Sequence, residues 1–90
     1  MSQTTRVTLY ALSTCPYCRR TREFMDSKGI SYHLIDVDLL EGNERDEVVR
    51  TVTELNPRLS FPTIVIGEGD RKHVYVGLDN AAEHALLELI

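Results

Sequence analysis

From residue 6 the chain reads RVTLYAL, with β-branched and aromatic residues and apolar side chains on both faces. That pattern predicts a buried strand over 6–12. Pro16 to Lys28 predicts a helix, with Phe24 and Met25 on its apolar side and Gly29 as its C-terminal stop. SYHLIDVD, residues 31–38, reads as a second strand. In the segment that follows, Asn43 can cap a helix whose positive end suits Glu44, Asp46 and Glu47. Val48, Val52 and Leu55 recur there at helical spacing, and Pro57 closes the segment. FPTIVIG predicts a third strand over 61–67, EGDRK a turn and HVYVG a fourth strand over 73–77, the last two strands forming a hairpin. Asn80 then opens a final helix with Glu83 three residues on, a capping-box pattern, and Ala82, Ala85, Leu86 and Leu89 supply its core face.

The predicted order is βαβαββα, an α/β pattern. Its βαβ start requires parallel strands joined by a right-handed crossover, and the later hairpin adds antiparallel ones. A mixed four-stranded sheet with helices on both faces satisfies both demands. Ninety residues without repeats, linkers or low-complexity tracts predict one domain over 1–90, expected as a monomer.

Charge narrows the partners. A net charge of −4 leaves no excess of cations to neutralise phosphates, so nucleic acid is not an expected partner. No apolar run approaches the roughly 20 residues of a membrane span. The opening MSQTTRVTLYAL lacks the regions of a signal peptide, so a cytoplasmic location is expected. Thiols are kept reduced there, and a disulfide is more readily transient than structural.

That matters because Cys15 and Cys18, three positions apart in STCPYCRR, are the two cysteines of the chain. A helix beginning at Pro16 uses proline where its missing N–H costs nothing. Cys15 then occupies the N-cap, with the N–H groups of Tyr17 and Cys18 facing its sulfur. Those donors and the helix dipole stabilise a thiolate, so its pKa should fall well below the free value of about 8.5. Cys18 lies one turn inside, within reach of Cys15 for a disulfide. Cys15 is thus the expected nucleophile and Cys18 the resolving thiol. A metal site and a purely structural disulfide are the alternatives. Zinc usually needs four ligands, and His33, His73 and His84 lack ligand-like spacing, so no metal is expected. A four-residue disulfide loop gains little stability. A C-x-x-C beside a βαβ pattern is the redox signature for this setting.

With these residues in place, the chain resembles the glutaredoxins, of the thioredoxin-fold superfamily. Cys15-Pro16-Tyr17-Cys18 matches the usual Cys-Pro-Tyr-Cys site of dithiol members. Ser60-Phe61-Pro62 stands where members have Thr-Val-Pro with a cis proline, and Val76-Gly77-Leu78-Asp79-Asn80 where many have Gly-Gly-x-Asp-Asp. The resemblance implies a thioredoxin-like fold and a glutathione-binding groove. In it the Phe61 backbone, before Pro62, would pair with the cysteinyl part of glutathione, and Tyr17 would line the groove. The start of the last helix, at Leu78, Asp79 and Asn80, would receive the γ-glutamyl carboxylate. One departure is plain. Members typically carry lysine three residues before the first cysteine, where this chain has Leu12. Arg19, Arg20, Arg22 and Arg58 are the cations that could compensate.

The resulting expectation is a thiol–disulfide oxidoreductase that binds no cofactor. It would reduce protein disulfides or glutathione mixed disulfides, with glutathione as reductant or co-substrate. One alternative, favoured by Leu12, is a hydrogen donor of the ribonucleotide-reductase type, re-reduced by a flavoprotein thioredoxin reductase. Another is an iron–sulfur carrier in which two protomers hold a cluster with glutathione. Pro16 counts against it, because cluster-binding relatives tend to have a small residue there.

Overall fold

A computed structural model describes residues 3–90, so the first two positions of the domain expected over 1–90 lie outside the described residues. The elements follow the expected order: β1 (Val7–Ala11), α1 (Pro16–Ser27), β2 (His33–Asp36), α2 (Gly42–Leu55), β3 (Thr63–Ile66), β4 (His73–Val76) and α3 (Asn80–Leu87). They form a four-stranded sheet ordered β2-β1-β3-β4. β1 pairs in parallel with β2 and antiparallel with β3, and β3 pairs antiparallel with β4.

Register decides which helix covers which face. Leu34, Leu9, Ile64 and Tyr75 sit opposite one another across the four strands. They join one apolar cluster with Cys18 and Met25 of α1 and with Ala82 and Leu86 of α3. Alternation turns Thr8, Tyr10 and Val65 to the other face, where they share a surface hollow with Thr51 and Leu55 of α2. Helices therefore lie on both sides of the sheet. β1 is buried at Val7, Leu9 and Ala11 and half-covered between them, as its two-sided apolar pattern requires.

Several boundaries differ from the sequence reading. β2 stops at Asp36, where its partner β1 also ends, and the chain turns through a 3₁₀ segment at Val37–Leu39. α2 is entered from extended Leu40 and Glu41, with Gly42 at φ +59° making the turn. Asn43 is consequently inside the helix, and the cap position is Glu41. β3 begins at Thr63, because Pro62 has no N–H to give the ladder. EGDRK includes a 3₁₀ turn at Gly69–Arg71. The cap of α3 is Asp79, whose carboxylate accepts from the Ala82 N–H at 2.8 Å, so Asn80 is the first helical residue and the capping box with Glu83 is not formed. The stop of α1 is as expected: Gly29 takes φ +71°, and the Ile30 N–H reaches back to the Met25 carbonyl at 3.0 Å.

Candidate active site

Cys15 caps α1 in extended geometry, at φ −83° and ψ 120°, with Pro16 as the first helical residue. The Cys18 N–H donates to its sulfur at 3.4 Å. The loop leading to it is fixed on both sides. The Cys15 N–H donates to the Leu12 carbonyl at 3.2 Å. Asp38 accepts from the Ser13 N–H at 2.8 Å and the Ser13 hydroxyl at 2.6 Å. Those bonds, the hydroxyl first, hold the Asp38 carboxyl below the usual carboxylate range. Both cysteines are free thiols, Cys15 half-exposed and Cys18 buried.

The two sulfurs are electrically distinct. Burial is the largest single influence on Cys15 and pushes its thiol up. Hydrogen bonds from the Cys18 thiol and from the backbone N–H groups of Cys18 and Tyr17 outweigh it, and the thiol lies below its ordinary value. Those hydrogen bonds, rather than Arg19 or Arg20, account for the lowering. For Cys18, burial again comes first and raises the thiol. The Leu12 N–H, 3.5 Å from its sulfur, pulls the other way. Donation to Cys15 and the charges of Cys15 and Asp36 add to the rise, and the thiol is pushed up to about 12. One sulfur is prepared to be a thiolate and the other to stay protonated beneath it.

This asymmetry has a direct readout. Alkylation of the reduced protein should rise with pH through a midpoint below the ordinary thiol value, reporting Cys15 alone. Cys18→Ala removes a donor to that sulfur, so the midpoint should move up. In Cys15→Ser, alkylation should stay slow until strongly alkaline pH. A Cys15 midpoint at the ordinary value would contradict this account of the cap.

Beside the thiols runs a groove of about 730 Å³. Of the residues expected there, Tyr17, Phe61, Pro62 and Leu78 line it together. The Phe61–Pro62 peptide bond is cis. The Pro62 carbonyl accepts from the Gly77 N–H at 2.9 Å, and Gly77 takes φ +83°, which favours glycine there. Asp79 and Asn80 do not line the groove; the Asp79 carboxylate is engaged in capping α3. Neither cysteine lines it either. Cys15 opens onto an adjoining hollow of about 310 Å³, and Arg20 and Glu23 border both. Of the four arginines, Arg20 enters the groove, Arg19 is tied to Glu23 at 3.2 Å, and Arg22 and Arg58 line neither space.

Some groove positions escaped the sequence reading, which names Arg20 as a compensating cation and Phe24 as apolar helix face but does not join them to Tyr17 or Ser27. Arg20, Phe24 and Ser27 continue the α1 face that starts at Tyr17, at three- and four-residue steps. That spacing was readable had the helix face been followed from Tyr17. Glu83 enters the groove from α3. Asn56, the buried C-cap of α2, gave no signal. Its Nδ2 donates to the Ser60 carbonyl and hydroxyl, both at 3.1 Å, and to the Thr63 hydroxyl at 3.2 Å. Its Oδ1 accepts from the Arg58 N–H at 3.2 Å. These bonds pin both ends of the segment that carries Phe61 and Pro62.

Known proteins agree with this picture. The glutaredoxin family model matches residues 7–73. Glutaredoxin 3 of Escherichia coli is 33% identical over 70 residues, which is 76% of this chain and 72% of that protein. Mouse prostaglandin E synthase 2 is 30% identical over 70 residues, but the matched part is 16% of that protein's length against 78% of this chain. The crystal structure of the Archaeoglobus fulgidus glutaredoxin superposes with a TM-score of 0.75 at 37% identity, covering 96% of this chain and 86% of that one. With a thioredoxin-like sheet, a Cys-Pro-Tyr-Cys helix cap and a family match that spans most of its length, the chain belongs to the glutaredoxin family of thiol oxidoreductases.

Proposed function

We propose that this chain, as one domain over 1–90, reduces protein disulfides or glutathione mixed disulfides through both thiols. The observation that carries the reading is the pairing of a lowered Cys15 thiol at the helix cap with a buried Cys18 thiol that donates to it. The Cys15 thiolate attacks a substrate sulfur and takes it as a mixed disulfide, expelling the other sulfur as a thiolate. Cys18 then attacks the Cys15 sulfur, the pair is left as a disulfide, and the held substrate leaves reduced. For a glutathione mixed disulfide, a second glutathione can serve in place of Cys18. Tyr17, Phe61, Pro62 and Leu78 bind the substrate along the groove, the Phe61 backbone pairing with an extended segment. Asp79 and Asn80, at the start of α3, are assigned to the γ-glutamyl end of glutathione. The setting is a reducing compartment, the cytoplasm, and among the described residues no helix is long and apolar enough to cross a membrane.

Two features favour a second reading, in which a flavoprotein thioredoxin reductase supplies the electrons. Leu12 offers no cation, and Glu83 puts a negative charge into the groove on the side of α3. An assay coupling disulfide reduction either to glutathione with its reductase or to a thioredoxin reductase separates the two. Activity with neither electron source would contradict both.

Leu12→Lys sharpens the choice. The Leu12 N–H touches the Cys18 sulfur and its carbonyl holds the Cys15 N–H, so the backbone at this position lies beside both thiols, although Leu12 lines neither the groove nor the adjoining hollow. An exposed pair with the glycine carboxylate of glutathione is worth about 0.2–1 kcal/mol, more if partly desolvated. The expected result is a roughly 2- to 10-fold gain in apparent glutathione affinity, shrinking at high salt. The added charge should also lower the Cys15 midpoint slightly. A well-folded variant with no gain would mean that position 12 does not reach the groove or that glutathione is not the reductant.

A further inference from the structure

Asp36 carries the buried side-chain oxygen, Oδ1, that alone among the described residues lacks a hydrogen-bond partner. A buried acceptor without a donor is costly, so its presence calls for an explanation. Its position suggests one. Asp36 ends β2 directly opposite Ala11 in the parallel ladder. Alternation from Leu34 puts its side chain on the sheet face that packs against α1 and α3. Ala11 leads into Leu12, whose N–H touches the Cys18 sulfur. Asp36 and Cys18 thus lie at one end of the sheet on the same side of it, joined through the Ala11–Leu12 backbone and without a hydrogen bond between Asp36 Oδ1 and the sulfur; the Asp36 charge adds to the rise of the thiol. Of the other titratable groups nearby, His33 of β2 and Glu44 of α2 border the same surface hollow as Asp36, Asp38 is turned to Ser13 with Arg45 acting on it, and Cys15 lies beyond Cys18. Among the described residues no cation pairs with Asp36.

The resolving step needs a proton acceptor. In the free dithiol, the Cys18 S–H donates to the Cys15 sulfur. Once Cys15 is tied up in a mixed disulfide, that sulfur carries no negative charge to receive the proton. The cap N–H groups serve Cys15, and a thiol that stays protonated attacks slowly. We propose that the Asp36 carboxylate accepts the Cys18 proton as Cys18 attacks the mixed disulfide. The Cys18–Cys15 sulfur bond forms as the Cys15–substrate sulfur bond breaks, and the electron pair leaves on the substrate sulfur. The two cysteines are oxidised to a disulfide, and the substrate sulfur is reduced. The proton passes from Cys18 to Asp36 and then to solvent or to the departing thiolate. This role rests on Cys18 being the resolving thiol.

Single-turnover reduction of a protein disulfide, sampled by acid quench across pH, separates formation of the mixed disulfide from its resolution. Asp36→Asn keeps the shape and removes the base. It should slow resolution by at least about 10-fold at neutral pH, leave formation unchanged, and recover as rising pH ionises Cys18 directly. Asp36→Glu, which keeps the acid, should resolve faster than Asp36→Asn and guards against a folding defect in the amide variant. In a Cys18→Ser background, Asp36→Asn should change nothing further. Wild-type resolution in Asp36→Asn, or an equal pH-independent loss in both steps, would overturn the proposal. Resolution at wild-type rate in Cys18→Ser alone would instead overturn the reading of Cys18 on which it stands.

Discussion

Cys15→Ser is expected to be inactive on every disulfide substrate, a loss on the order of 10³-fold or more. The reason is local. A serine hydroxyl at the cap still meets the Cys18 N–H, so the fold should survive, but an alcohol is not ionised at neutral pH and cannot attack sulfur. Cys18 cannot substitute, being buried and held protonated by that burial and by the Asp36 charge, both of which remain when Cys15 is replaced. Cys18→Ser should behave differently. It retains the capped Cys15 sulfur and should keep a substantial share of activity on glutathione mixed disulfides, which a second glutathione can resolve. It should lose reduction of protein disulfides, where the resolving sulfur must come from within. Steady-state assays of both variants on both substrate types check this. Equal loss in the two variants on both substrates would contradict the assignment of roles.

Asn56→Ala is expected to produce the largest loss of stability outside the apolar core. The side chain is 4% exposed and hydrogen-bonds to Arg58 and Ser60 in the segment between α2 and β3 and to Thr63 at the start of β3. Alanine leaves the Arg58 N–H without its acceptor. The Ser60 carbonyl keeps only the Thr63 hydroxyl, at 2.8 Å. Groups stranded in this way cost about 1–3 kcal/mol each, so a net loss of about 2–3 kcal/mol is reasonable. For a domain of this size that is a fall in melting temperature of roughly 10–20 °C. Function should suffer below the melting transition as well, because the loosened segment carries Phe61 and Pro62. The expected pattern is a raised KM for disulfide substrates with the Cys15 alkylation midpoint unchanged. Thermal unfolding, with kinetics at low temperature, measures both parts. An unchanged melting temperature would mean that the network does not hold the segment.

The architecture was legible because each strand and helix carries its own period. β1 is apolar on both faces, and it lies between β2 and β3 with a helix layer on each side. The placement of Cys15 at a helix cap was legible for a local reason too. Pro16 marks a helix start, and a helix start fixes what stands at Cys15. Misplaced features were those decided by contacts between distant segments. Asn43 has the chemistry of a cap, but the path of the chain out of the 3₁₀ turn lets Gly42 open the helix first. Asp79 and Asn80 are both able to cap, and the Ala82 N–H reaches Asp79. Asn56 and Asp36 could not be singled out, because nothing in NPRLSFPT or HLID reveals which polar atoms become buried, or beside what. Glu83 looked like a capping-box partner and instead borders the groove.

Trapping the first covalent intermediate tests the central claim most directly. Reduced Cys18→Ser and Cys15→Ser, each holding one thiol, are mixed with glutathione disulfide at neutral pH, acid-quenched at short times and weighed intact by mass spectrometry. Cys18→Ser should rapidly gain one glutathione through Cys15 and hold it, while Cys15→Ser should remain unmodified over the same interval. Rapid modification of Cys15→Ser, with Cys18→Ser left untouched, would contradict the assignment of Cys15 as the attacking thiol.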